Sequence, residues 1–291
     1  MTALPITAAR GTAARPTRRT SIVPTGVLLL GALYTLLPIL WLLIAATKTN
    51  TELDSYAAFR PGGSLKANLS GLLSYDGGVF WSWLGNTALY AGGGAILSAA
   101  LSALTGYGFA KYRFRGKGFL FTMILIGMLV PAVVLAIPQY LIVARIGLAD
   151  TYWAVLIPSI VSPYGMYLAR IYAGASVPDE VIESARVDGS GELRTFLRIG
   201  VPMMAPGLVT IFLFQFVAVW NNFLLPWLML SSENKYPLTV GLFTLLDAGT
   251  SQPALYSLVI VGALLSILPL IVLFLLLQRF WRVDLTAGSV K

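Results

Sequence analysis

The stretch ESARVDGSGELRTFLRIGVPMMAP, from Glu183 to Pro206, is rich in charged side chains and interrupted by glycines. It lies between two long runs of apolar residues. An ionised side chain at the centre of a bilayer costs about 2.5 to 3.5 kcal/mol on insertion scales. The stretch is therefore predicted to lie outside the hydrocarbon core, as a connection between two membrane spans.

Composition places the chain among integral membrane proteins. Of its 291 residues, 57% are hydrophobic and 11% are charged, whereas about 25% of the residues of a soluble domain are charged. Cysteine and histidine are both absent, which excludes disulfides, thiolate or imidazole metal ligands and a histidine general base. We therefore predict an all-α integral membrane protein with no catalytic residue and no metal site.

Six charge-poor runs are long enough to cross a bilayer, which takes about 20 apolar residues. They are residues 22–46, 83–110, 119–143, 151–168, 201–230 and 255–277. The first run is far longer than the apolar core of a signal peptide, about 7 to 15 residues, and is predicted to be an uncleaved anchor. The predicted organisation is a basic tail at 1–20, a first transmembrane helix at 21–47, an extracytoplasmic segment at 48–82, a core of five helices at 83–280 with a loop at 176–200, and a tail at 281–291.

Basic residues fall mainly on one side of these spans. With alternate connections on the same side, fifteen of the 20 lysines and arginines share a side with the termini and the opening stretch. Since positively charged loops stay in the cytoplasm, both termini and the opening stretch are predicted to be cytoplasmic. The position of the basic runs next to the spans favours this role over nucleic-acid binding.

The opening stretch and the residues before it are predicted to form two short helices separated by a glycine turn. Ser176 and Asp179 have the spacing of a capping box, so the first helix is expected to begin near Val177 and to end at Gly189. Ser190 can cap the second helix. A helix this short is marginal alone in water, so it is expected to dock on another surface.

Seven residues of the stretch fall at the positions of a known motif: Glu183, Ser184, Ala185, Asp188, Gly189, Ile199 and Pro202. They resemble the EAA loop of membrane subunits of bacterial ABC importers, in which E-A-A-x-x-D-G-A is followed by I-x-L-P. The departures, serine for alanine at 184 and 190 and valine for leucine at 201, exchange small or apolar residues. YGFAKYRFRGKG at 107–118, VWNNFLLPW at 219–227 and LTAGSVK at 285–291 resemble the carbohydrate branch, the maltose-type permeases.

The resemblance implies a type I ABC importer permease fold with six transmembrane helices and a cytoplasmic coupling helix, in the cytoplasmic membrane of a bacterium. The implied partners are a second homologous permease, two ABC ATPase subunits and an extracytoplasmic solute-binding protein. ATP and Mg would be used by the ATPase subunits, and this chain would bind no cofactor. Its own sequence has no G-x-x-x-x-G-K-[ST] phosphate loop, the nearest approach being GKG at 116–118.

The motif also implies roles for single residues of the docked helix. By analogy with the matching positions of the family motif, Glu183 would contact a basic residue of the ATPase, and Ala185 would pack closely against the ATPase. Gly189 would end the helix. A solvated helix face remains the alternative for Glu183. A C-terminal cap is part of the role of Gly189 in either case, because glycine tolerates positive φ.

The predicted spans contain no internal acidic or basic residue, and such residues usually mark ion or proton paths. A neutral solute such as a mono- or oligosaccharide is therefore favoured, held by amide, hydroxyl and aromatic groups. The candidates at depth are Gln139 in the third span, Tyr164 and Tyr167 in the fourth, and Trp220, Asn221 and Asn222 in the fifth. For the Trp-Asn-Asn group, architecture or gating remains an alternative to sugar contact.

Other functions remain open from sequence. The nearest is the same kind of permease importing a glycerol phosphodiester or a polyamine, followed by a self-contained carrier or channel. An intramembrane enzyme would need a nucleophile and a base at matching depths, and no such pair is visible. The favoured prediction is the permease subunit of an ATP-driven, binding-protein-dependent sugar importer that works by alternating access.

Overall fold

The computed structural model describes residues 22–54, 58–249, 252 and 255–287, and the regular secondary structure of these residues is helical. The predicted tail at 1–20 lies outside them. The helices are α1 (Ile22–Ala45), α2 (Asn50–Leu53), α3 (Leu65–Ser74), α4 (Val79–Lys111), α5 (Lys117–Leu129), α6 (Ala132–Arg145), α7 (Tyr152–Ile160), α8 (Pro163–Ser176), α9 (Asp179–Val187), α10 (Glu192–Thr195), α11 (Val201–Trp220), α12 (Leu224–Met229), α13 (Leu238–Gly249) and α14 (Tyr256–Ala287). A π-helical segment, Phe196–Gly200, joins α10 to α11. The predicted all-α class is confirmed.

Five helical segments are long and apolar enough to cross a membrane, at residues 23–45, 65–111, 152–176, 192–220 and 256–280. α5 and α6 reach that length only together, and they meet at 104°. The predicted count of six spans therefore holds only if this bent pair is one span. The predicted third span at 119–143 is broken because Pro131 cannot continue a helix and holds Val130 in an extended conformation, with φ −77° and ψ 121°.

The predicted fourth span is interrupted as well. α7 ends at Ile160, and α8 begins at Pro163. Ser162 is extended between them, and its hydroxyl oxygen accepts a hydrogen bond from the amide of Gly165 at 3.1 Å. Proline suits this first helical position because it has no amide hydrogen to leave unpaired. The serine cap and the proline together start the second helix of this span.

α8 then runs to Ser176 instead of ending at residue 168. The longer helix contains Arg170, which the sequence prediction assigns to the connection after the span. The guanidinium carbon of Arg170 lies 3.9 Å from the centre of the Phe121 ring on α5. A cation over an aromatic face is stabilised by the charge distribution of the ring. This tertiary contact allows the charge to lie inside the helix pair.

The predicted fifth span at 201–230 is also shorter than expected. α11 ends at Trp220, and the chain turns at Asn221 before the short helix α12. The side-chain oxygen of Asn222 accepts a hydrogen bond from the amide of Leu225 at 3.4 Å, which caps the start of α12. A polar pair in the apolar run thus ends one helix and starts the next.

The helix α4 forms the centre of the bundle, where it packs against α7, α8 and α11. Small residues allow the close approach of these helices. A β-carbon placed on Gly106 would lie 2.5 Å from the β-carbon of Ala169 on α8, and one on Gly94 would lie 3.1 Å from that of Ser159 on α7. α4 therefore holds the broken span α7–α8 by contacts near the backbone.

Two elements lie at the edge of this bundle. Most of α1 is exposed, including 80% of Tyr34, and its main contact is with α14. Part of the predicted extracytoplasmic segment at 48–82 folds back as α3, where Leu72 is fully buried against the bundle that includes α14. The apolar surface of α1 is of the kind that lipid or another membrane subunit covers.

Candidate functional site: a membrane cavity and the EAA-like loop

A cavity of about 920 Å³ lies where three helix breaks meet. Its lining includes Val130 at the break between α5 and α6, Val161 and Ser162 at the break between α7 and α8, and Asn222 just after α11. Broken helices beside a cavity are typical of transporter binding sites, because the freed backbone groups face water or solute instead of lipid. The cavity is the candidate solute site.

Three of the six predicted pathway residues line this cavity. They are Gln139 of α6, Tyr164 at the start of α8, and Asn222. Tyr167 lies one helical turn beyond Tyr164 and is outside the lining. Its ring stacks on Phe121 of α5, with the ring centres 6.4 Å apart. Tyr167 therefore joins α8 to α5 next to the cavity.

The remaining two predicted pathway residues are also outside the lining. Trp220 is buried, its indole N–H donates to the carbonyl oxygen of Ser266 at 3.2 Å, and its ring stacks on Phe216. Asn221 is exposed and donates to the carbonyl oxygen of Val217 in its own helix at 2.8 Å. The contacts of Trp220 join α11 to α14, which is the architectural alternative left open from sequence.

Gln215 is a polar lining residue that was not predicted from sequence. Its side-chain nitrogen donates to the backbone carbonyl oxygen of Ser159 at 2.7 Å. That oxygen has no helical partner, because Val161 and Ser162 are extended and the residue four positions on is Pro163, which has no amide hydrogen. Gln215 on α11 thus satisfies the carbonyl freed at the break in the neighbouring span. The sequence signal that could have identified Gln215 is an amide side chain in one apolar span together with a proline in another span.

Substituting leucine for Gln215 is expected to destabilise the chain by about 1 to 3 kcal/mol, because the buried carbonyl of Ser159 would lose its partner. The apparent melting temperature in mild detergent measures this loss. Gln278→Leu is the matched control, since the Gln278 amide bonds only within its own helix, to the carbonyl oxygen of Leu275. Equal melting temperatures for the two glutamine variants would contradict this account.

The side chains that line the cavity are all uncharged. Amide and hydroxyl groups can donate to and accept from the hydroxyl groups of a solute, and an aromatic ring offers an apolar face. The polar lining residues are Gln139, Ser159, Ser162, Tyr164, Gln215 and Asn222. This set suits a neutral polyhydroxylated solute and provides no counter-charge for a strongly ionic one.

The EAA-like loop, residues 176–200, contains α9, which packs one face on the rest of the chain. Ile182 and Ala185 are buried in this chain, whereas Glu183, Ser184 and Asp188 are exposed. Further along, Ile199 is half-buried, and Pro202 is exposed at the start of α11. The exposed motif residues are available for contact with another protein.

The predicted end of the first helix at Gly189 is confirmed. Gly189 has φ +79°, and its amide donates to the carbonyl oxygen of Arg186 at 3.0 Å. The amide of Ser190 donates to the carbonyl oxygen of Ala185 at 2.9 Å. These two bonds form a Schellman motif, in which glycine takes the left-handed position without a side-chain clash.

The predicted starts of both helices are wrong. Ser176 belongs to α8, α9 begins at Asp179 after Pro178, and no side chain caps it. The Asp179 carboxylate accepts a hydrogen bond from Lys111 at 2.8 Å instead, and this bond lowers the pKa of Asp179. Ser190 does not cap the second helix either, because its hydroxyl accepts from the side chain of Thr195. α10 is a single turn that continues through the π-helical segment into α11.

Apolar side chains around the loop are exposed to an unusual degree. Val187 is 88% exposed, Leu193 65% and Leu197 55%. Exposed apolar groups grouped beside polar ones commonly mark a protein contact site. α9 and α10 therefore have the composition of a docking surface.

Comparison with known proteins identifies the class of this chain. Residues 98–282 match the family described as binding-protein-dependent transport system inner membrane component. The arabinooligosaccharide transport system permease protein AraQ of Halalkalibacterium halodurans is 32% identical over 94% of this chain and 99% of that protein. The lactose transport system permease protein LacG of Rhizobium radiobacter is 31% identical over 94% of this chain and 97% of that protein.

A solved structure shows the same architecture. The structure of a bacterial ABC transporter involved in the import of the acidic polysaccharide alginate matches with a TM-score of 0.76 and 25% identity, over 91% of this chain and 98% of that one. The chain therefore belongs to the family of binding-protein-dependent inner-membrane transport components. It is a multi-pass ABC permease, a transport subunit rather than a catalytic one.

Proposed function

We propose that this chain is the permease subunit of an ATP-driven importer that moves a mono- or oligosaccharide across the cytoplasmic membrane of a bacterium by alternating access. The observation that carries the proposal is the uncharged cavity at three helix breaks, lined by amide, hydroxyl and tyrosine groups. The names of AraQ and LacG as sugar permeases support the same solute class.

The partners proposed for this chain are a second homologous permease, two ABC ATPase subunits and an extracytoplasmic solute-binding protein. ATP and Mg would be used by the ATPase subunits. The EAA-like loop and both termini would lie in the cytoplasm, with the loop bound to an ATPase. The residues proposed for that contact are Glu183, Ser184, Ala185, Asp188, Gly189, Ile199 and Pro202. The exposure of Glu183, Ser184 and Asp188 supports the proposal, whereas Ala185 is buried in this chain and would act by holding α9 in place.

Three pathway residues carry the solute part of the proposal. Gln139, Tyr164 and Asn222 line the cavity, which supports the proposal that their side chains contact the sugar. Tyr167, which stacks on Phe121 beside the cavity, would hold the helices that shape it. Trp220, with its neighbour Asn221, would set the end of α11.

The test is copurification in mild detergent from a tagged copy of this chain, followed by ATPase measurement after reconstitution in lipid nanodiscs. We expect ATP hydrolysis that rises when a sugar-loaded binding protein is added, and uptake of that sugar in proteoliposomes. A glycerol phosphodiester or a polyamine should not compete for uptake. Transport by the chain alone without ATP would contradict the proposal and favour a self-contained carrier.

A cavity variant separates sugar contact from folding. Tyr164→Ala removes the aromatic ring from the lining and is expected to lower the rate of sugar uptake, at saturating loaded binding protein, about tenfold, through the loss of one stacking and hydrogen-bonding group. Tyr140→Ala on α6 is the control, since Tyr140 is exposed and outside the lining. Equal uptake by the two variants would count against the cavity as the solute site.

A further inference from the structure

The C-terminal end of α4 is linked by polar bonds to both ends of α9. Lys111 Nζ lies 2.8 Å from the Asp179 carboxylate at the start of α9. The next residue, Tyr112, donates its hydroxyl hydrogen to Glu192 Oε2 at 2.6 Å. The same carboxylate accepts a hydrogen bond from Arg186 Nε, near the end of α9, at 2.7 Å. α9 is therefore attached by polar bonds to a helix that is distant from it in sequence.

These ties are ionised at neutral pH. The hydrogen bond from Lys111 lowers the pKa of Asp179, and the bond to Glu192 raises the pKa of Arg186. A carboxyl group with a lowered pKa keeps its contribution at all pH values above its ordinary pKa, and loses it only as the pH falls through the lowered value. The attachment therefore persists over the physiological range.

The first half of α4 is tied to the loop between α12 and α13, residues 230–237. The bonds are Asn86 Nδ2 to the carbonyl oxygens of Asn234 (2.8 Å) and Tyr236 (3.0 Å), the Tyr90 hydroxyl to the carbonyl oxygen of Lys235 (3.0 Å), and the Leu238 amide to the Thr87 hydroxyl oxygen (2.6 Å). Every bond reaches the backbone of the loop or of the residue that follows it. The α12–α13 loop is therefore expected to move together with α4, and this link does not depend on the side chains of the loop.

The same loop is held in one shape by a carboxylate. Asp150, which precedes α7, accepts hydrogen bonds from the amides of Ser231 at 3.0 Å and Ser232 at 2.9 Å and from Lys235 Nζ at 3.0 Å. The hydroxyl of Ser232 is the leading cause of a lowered pKa for Asp150. With its backbone fixed in this way, the loop can transmit displacement to the helix that it contacts.

The two attachment points are far apart on one rigid element. α4 is a single helix of 33 residues, and Tyr90 and Tyr112 lie about 33 Å apart at 1.5 Å per residue. On the proposed function, α9 faces the ATPase. The α12–α13 loop belongs to the next connection between spans and therefore lies on the opposite side of the membrane, where the solute-binding protein would bind. We propose that α4 couples the two faces, with Tyr90 in its first half and Tyr112 directly after its last residue as positioning residues. Binding-protein contact would displace the loop, and α4 would carry that displacement to α9.

The experiment is a double-mutant cycle in the copurified complex in lipid nanodiscs, using Tyr90→Phe, Tyr112→Phe and both together. Each change removes one hydroxyl and keeps the ring. The measured quantity is the ratio of ATPase rates with and without the binding protein, loaded with the sugar that raises its own melting temperature. Tyr140→Phe is the matched control, because Tyr140 is an exposed tyrosine of α6.

Each single variant is expected to lower this ratio about two- to tenfold, the range for loss of one hydrogen bond. The double variant is expected to be no worse than the more severe single one, because either change interrupts the same link. Reductions that multiply in the double variant, or ratios equal to that of Tyr140→Phe, would overturn the inference. A wild-type complex whose ATPase does not respond to any binding protein would instead refute the proposed function.

Discussion

Replacing Gly189 with proline is expected to abolish solute uptake while leaving membrane insertion intact. Gly189 has φ +79°, whereas proline is held near −65°. Its amide donates to the carbonyl oxygen of Arg186, and proline has no hydrogen to donate. A β-carbon at this position meets no atom within 4 Å, so the effect comes from the backbone and not from crowding. The turn that ends α9 would be lost.

Loss of this turn should separate ATP hydrolysis from transport. α9 would no longer be held in the orientation that its Schellman motif sets. Closure of the ATPase subunits would therefore not be transmitted to the membrane-spanning helices. In proteoliposomes we expect uptake of labelled sugar to fall at least about tenfold while hydrolysis continues, a loss of coupling within the usual range for linked sites. Insertion is checked by the yield of the chain in the membrane fraction.

The control is Gly191→Pro, two residues further along the same loop. Gly191 has φ −70°, which is already in the range of proline. This variant is expected to keep most of the uptake. Normal uptake by Gly189→Pro would refute the assigned role of the loop in coupling. Equal loss in both variants would show that any proline in the loop is harmful and that the turn has no special role.

The all-helical class of the chain and the turn at Gly189 could be predicted because their causes are local. A charge-free run of sufficient length is stable in a bilayer whatever its neighbours are. A glycine that follows a short amphipathic helix is favoured at the left-handed position by its own lack of a side chain. The motif around Glu183 also identified the class of protein, because it is a pattern of adjacent residues.

The contacts around the cavity could not be predicted in the same way, because they depend on partners distant in sequence. Pro163 signals a possible kink, but only Gln215 on α11 shows how the freed carbonyl of Ser159 is satisfied. Arg170 counted as a boundary residue, yet the ring of Phe121 holds it within α8. The capping box at Ser176 failed because α8 continues through that residue. In each case a tertiary contact outweighed the local signal.

Replacing Gly106 with leucine is expected to have the largest effect on folding. A β-carbon alone would lie 2.5 Å from the β-carbon of Ala169 and 2.6 Å from the backbone nitrogen of Arg170. Because these atoms belong to or adjoin the backbone of α8, they cannot move aside unless α4 and α8 separate. Overpacking costs about 1 to 3 kcal/mol and occasionally more, and we expect the upper end here. A lower melting temperature and less monodisperse protein in detergent would measure it.

Gly108→Leu is the matched control, since Gly108 lies in the same helix and a β-carbon there meets no atom within 4 Å. Both substitutions replace glycine with a good helix former, which favours the helix by about 0.8 to 1 kcal/mol. The difference between the two variants therefore isolates the close approach of α4 to α8. That approach holds α8, which contributes Pro163 and Tyr164 to the cavity lining, against α4, the helix that we propose as the coupling element. Equal melting temperatures would mean that the two helices do not pack this closely in the folded protein. The described geometry of the cavity would then be wrong as well.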